Sequence, residues 1–96
     1  MVKGKLSNGF AYEVLEGKAK DWNFVLKVAR VNETDDPFKT FILIDELLID
    51  LLGEEQREAF IESFMDEKGN VPSPVVIEGF KELTASIAEK EKELKN

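Results

Sequence analysis

Twenty of the 96 residues are Asp or Glu, and there is no His and no Cys. Any chemistry would therefore fall to carboxylates, hydroxyls and lysines. The commonest general base at neutral pH, thiol nucleophiles, disulfides and zinc sites of the usual kind are all removed at once. Glu46 and Asp50 stand four apart, so on a helix they share one edge and could hold a hard cation. Two carboxylates on an exposed edge read more simply as solvated charge. Asp66-Glu-Lys-Gly-Asn70 has the outline of a calcium loop, but its glycine comes fourth instead of sixth and no glutamate follows at position twelve. It reads as a polar turn. There is no glycine-rich phosphate loop, no HExxH and no GxSxG. None of Ser7, Ser63, Ser73 and Ser86 has the Asp-Ser-Leu setting of an acyl carrier attachment site. These residues point away from an enzyme, and they call for no cofactor and no metal.

The totals narrow the remaining classes. A net charge of -7 repels nucleic acid phosphates and anionic membrane surfaces. The apolar fraction of 43% is that of a folded protein, and the length suits one domain over 1–96. No apolar run reaches the roughly 20 residues that span a bilayer. No signal peptide is visible after Met1, which points to a cytoplasm.

The elements follow from spacing. The stretch Phe38 to Leu52 reads FKTFILIDELLIDLL, and nine of its last twelve residues are apolar. Asp36 as N-cap, Pro37 in the first turn and Gly53 as a left-handed terminus predict a helix over 37–52. At about 100° per residue, Ile44, Leu47, Leu48 and Leu51 form an uncharged arc. With Phe41 they are the expected core. On another arc Phe38, Ile42, Asp45 and Ile49 fall within about 60° of one another. A lone carboxylate among large apolar groups is costly to bury unless it is paired. These four residues are thus the candidate protein-binding surface.

Around this helix, alternation on either side of Ser7-Asn8-Gly9 predicts a β-hairpin over 2–15 with a type I′ turn at Asn8-Gly9. Phe10, Tyr12 and Val14 share its inner side. Asp21 caps a helix over 21–31 whose apolar stripe is Trp22, Val25, Leu26 and Ala29, with Phe24, Val28 and Val31 flanking it. Trp22 reads as a packed core edge, with a stacking platform as the functional alternative. Further helices are expected over 54–66, with Arg57, Phe60, Ile61, Phe64 and Met65 on one face, and over 74–92. In the last helix Ser73 is the cap and Val76, Phe80, Leu83 and Ile87 the seam. Glu89 to Asn96 has only Leu94 as an apolar residue and reads as a solvated or frayed end. The fold class is α+β, mainly α: a hairpin followed by about four helices. Spare apolar surface without catalytic groups points to interaction.

Four pieces, LSNGFAYEV, DWNFVLKVARV, LLIDLLGEEQREAF and DEKGNVPSPVV, in this order and spacing cover most of residues 6 to 80. Together they resemble the tail assembly chaperones of long-tailed, siphovirus-type bacteriophages. The resemblance implies a small factor of the host cytoplasm that binds the tape measure protein. Such a factor keeps that helical cargo soluble, helps gather tail tube subunits and is absent from the mature virion. The resemblance also implies a frameshifted longer product, to which an A-rich gene end at Leu94-Lys95-Asn96 would correspond. The family brings no catalytic residues to carry over. Apart from the resemblance, the face of Phe38, Ile42, Asp45 and Ile49 could equally serve self-association into a homo-oligomer. The alternative from another class is a small oligomeric phage structural or head–tail connector protein.

Overall fold

The computed structural model describes residues 1–95. The chain opens with strands β1 (Val2–Lys5) and β2 (Ala11–Val14), paired antiparallel with Val2 opposite Val14 and Lys5 opposite Ala11. Alternation sends Val2, Leu6, Phe10, Tyr12 and Val14 inward. The turn differs from the expected type I′. Gly9 is the only residue in it with positive φ, at 94°. The Gly9 N–H donates to the Leu6 carbonyl at 2.9 Å, and Leu6 N–H donates to Phe10 O at 2.8 Å. This is a three-residue loop closed by a left-handed glycine. Asn8 avoids positive φ because its side-chain oxygen accepts from Phe10 N–H at 3.0 Å, a local bond that holds the loop in this form.

After a short 3-10 turn at Lys18–Lys20, helix α1 runs Trp22–Glu33, with Asp21 accepting from the Asn23 and Phe24 N–H groups. Helix α2 runs Pro37–Glu62, and Asp36 accepts from Phe38 N–H. Helix α3 runs Ser73–Lys95. Among the described residues there are three helices where four are expected, because the predicted pair over 37–52 and 54–66 is one element, kinked at Gly53. Gly53 takes φ 82° and ψ 163°, a conformation essentially reserved for glycine and distinct from the left-handed helical well. It kinks the helix within a single residue, so helical turns resume at once and no connecting loop forms. The second stretch then ends at Glu62, short of Asp66. Helix α3 starts at Ser73 itself, with Val75 and Val76 N–H donating to the Pro72 carbonyl. Ser73 thus lies in the first turn and not at the cap.

Helix α1 packs on α2, and α3 packs on β1. The core joins the hairpin residues to Phe24, to Ile44, Leu47, Leu48, Leu51, Leu52 and Phe60 of α2, and to Phe80, Leu83 and Ile87 of α3. Phe60 touches both Phe10 and Phe64, with ring centroids 5.4 and 5.0 Å apart. The Phe64 ring in turn lies on Gly79, where a Cβ would collide with it. A radius of gyration of 13.3 Å is that of one small compact unit at this length. The result is a mainly helical α+β domain.

Polar ties fasten the hairpin to the helices. The Ser7 N–H and hydroxyl both donate to the Glu82 carboxylate, at 2.7 and 2.8 Å. Asn8 Nδ2 donates to Ser63 Oγ at 2.9 Å, and the Tyr12 hydroxyl is 2.7 Å from Ser86 Oγ. The end of α3 is solvated at Glu89, Lys92, Glu93 and Leu94, as expected from Glu89 onward, but it is not frayed and it buries one residue. It stays helical to Lys95, and Glu91 is only 4% exposed. Glu91 continues the inner face one turn beyond Ile87, and its carboxylate accepts from Gly17 N–H at 3.1 Å, which offsets the cost of burial. Asn96 lies outside the described residues.

Candidate protein-binding surface

The first half of α2 has two opposite faces. Ile44, Leu47, Leu48 and Leu51 are buried, as the uncharged arc requires. Phe41, expected with them, is 38% exposed. It sits on the shoulder between the two arcs, and no element covers it on the outer side. The outer arc carries Phe38 at 74% exposure, Ile42 at 60% and Ile49 at 36%. These three follow one another at i, i+4 and i+11, so they form a ridge along the helix. The Phe38 and Phe41 rings meet edge to face at 6.4 Å. Large apolar groups that stay bare while packing on each other make a patch, and contiguous patches are what mark interaction surfaces.

Asp45 lies on the same arc and is half-exposed. Its partner comes from across the Gly53 kink: Arg57 Nε donates to Asp45 Oδ1 at 2.8 Å, and Nη2 lies 2.7 Å from the same oxygen. The hydrogen bond to Asp45 pushes the Arg57 guanidinium up from its ordinary value, against the opposing effect of partial burial. The sequence alone shows Asp45 as a lone carboxylate. Its cation stands twelve residues away, and only the kink brings it back.

Beside this pair is an apolar slot of about 140 Å³. Helix α2 lines it with Phe41, Ile44, Asp45, Leu48 and Ile61, the start of α3 with Ser73, Val76 and Ile77, and the segment before α3 with Val71.

Helix α1 presents the opposite of its expected faces. Phe24 is buried and Val28 and Val31 pack against the core, whereas Trp22 is 73% exposed and Val25 and Leu26 are exposed too. Trp22 is therefore not a packed core edge. Both arcs of α1 are apolar, and periodicity cannot say which one turns inward. The signal lies in the charges: Lys27, next to the Phe24 arc, reaches α2 and bonds Asp50 Oδ2 at 2.7 Å, with Glu46 at 4.0 Å. That hydrogen bond pushes the Lys27 ammonium up from its ordinary value. Glu46 and Asp50 thus serve a helix–helix ion pair. Between α1 and α3 run two adjoining apolar openings of about 290 and 380 Å³, which share Val28, Phe80 and Thr84.

The Asp66–Asn70 turn is tied locally. One Asp66 carboxylate oxygen accepts from both Lys68 and Asn70 N–H at 2.9 Å. Among the described residues, no helix is long and apolar enough to cross a membrane. Comparison with protein-family models, curated proteins and solved structures gives no match for this chain.

Proposed function

We propose that this chain is a tail assembly chaperone of a long-tailed phage. It binds the tape measure protein in the host cytoplasm, keeps it soluble and helps tail tube subunits gather, without entering the mature virion. The observation that carries this reading is the bare ridge of Phe38, Ile42 and Ile49 on an otherwise acidic domain. A carrier for an extended apolar helix needs apolar surface of its own, with enough net charge to resist precipitation. Helix-against-helix recognition meets the first need. Copies bound side by side along a long cargo gain strength from one another, so each contact can be weak.

The test is co-expression with the tape measure protein of the same genome, whose gene is expected just downstream, with a tail tube gene upstream. The cargo should pass from the pellet to the soluble fraction only when this chain is present. A closed, stable ring with no affinity for the cargo would instead favour a small structural or head–tail connector subunit.

A further inference from the structure

The slot beside Asp45 has a shape and a charge that specify more than apolar contact. An apolar void of about 150 Å³ takes a benzene ring, so 140 Å³ suits one aromatic or branched aliphatic side chain. Ile44, Leu48 and Ile61 belong to the core or pack against it, which makes the slot's inner wall rigid. The ridge of Phe38, Ile42 and Ile49 runs alongside it, so a second helix lying on that ridge would drop a side chain into the slot, ridge into groove. Both Arg57 contacts fall on Asp45 Oδ1. Oδ2 accepts no hydrogen bond from the other described residues and belongs to a side chain that is 42% exposed. A carboxylate oxygen in that position accepts from a cation, and the chain's net charge of -7 favours a basic partner over an acidic one.

We infer that the slot receives one large apolar side chain of an amphipathic helix, and that Asp45 accepts from a Lys or Arg one turn away on that same helix. The inference rests on the chaperone reading and names the cargo segment that reading requires: a helix with an apolar knob and a basic neighbour at i+3 or i+4. The exposed ridge supplies area, and the slot with Asp45 supplies register.

The test uses the full chain and three fluorescein-labelled, helix-stapled peptides. They share one Phe knob and carry Lys, Gln or Glu four residues later. Anisotropy titration at low salt should rank them Lys, Gln, Glu, with about three- to tenfold between the extremes. Asp45→Asn should collapse that ranking while a common apolar affinity remains. Val71→Phe, which fills the slot from outside the helices, should weaken all three. Circular dichroism of both variants confirms that they are folded. Equal affinity for the three peptides, or full binding by folded Val71→Phe, would overturn the inference. The two readings fail separately. Peptides ranked as stated but no capture of the tape measure protein would remove the chaperone reading and leave the slot, while capture unaffected by Val71→Phe would remove the slot alone.

Discussion

The two halves of α2 meet at Gly53 and are treated differently by the rest of the molecule. Beyond the kink, Phe60 is fully buried. Gln56 there accepts from Glu13 N–H and donates to the Glu13 and Leu52 carbonyls at 2.7 to 2.8 Å. Its side chain thereby pairs the outer edge of β2 and caps the carbonyl before the kink. Ahead of the kink only one arc is covered, and Phe38, Ile42 and Ile49 face outward. The two halves of one helix therefore differ in cover. The second half fastens the hairpin, while the first half leaves an apolar ridge exposed.

The largest effect should come from the fastened half. Phe60→Ala removes the ring that joins Phe10 to Phe64 and should cost about 3–5 kcal/mol, read as a lower urea midpoint. Leu48→Ala, on the covered arc ahead of the kink, should cost about 2–5 kcal/mol. A small change at Leu48 would mean that this half is not anchored through its inner arc. Gly53→Ala comes next. A side chain in this region of φ and ψ costs about 1–3 kcal/mol, although a Cβ at Gly53 meets no neighbouring atom within 4 Å. The loss is thus conformational and not steric. If the variant is instead as stable as the parent and more helical by circular dichroism, the kink is not imposed by packing. Gln56→Ala should cost about 1 kcal/mol, the usual net worth of lost hydrogen bonds at an accessible edge. It should also speed amide exchange at Glu13 first. Uniform exchange across β2 would show that Gln56 does not hold that edge.

The asymmetry of α2 was half legible in the chain itself. Four aliphatic residues on one uncharged arc can only be core, and Ile44, Leu47, Leu48 and Leu51 are buried accordingly. The ridge could be read too, because Asp45 among large apolar groups conflicts with simple burial. Its resolution through Arg57 could not, since it depends on a change of helix direction at one glycine. Helix α1 was illegible for a different reason. Its Phe24 and Trp22 arcs are comparably apolar, so periodicity does not decide which turns inward; the charges of Lys27, Glu46 and Asp50, which meet in the structure, are consistent with the Phe24 arc. The tail of α3 was legible as solvated, but not the burial of Glu91, because a carboxylate with a backbone partner leaves no apolar signal in the sequence.

The smallest effect on stability should accompany the largest effect on binding. At Ile42, 60% exposed, substitution by Asp should change the unfolding free energy measured in urea by no more than about 0.5 kcal/mol. The helical circular dichroism spectrum should be unchanged. Co-expressed with the tape measure protein, the same Ile42→Asp variant should leave that cargo in the pellet where the parent chain holds it in solution. Cooperative unfolding lost together with helix content, or cargo held as well as by the parent, would contradict the assignment of the α2 ridge as the binding surface.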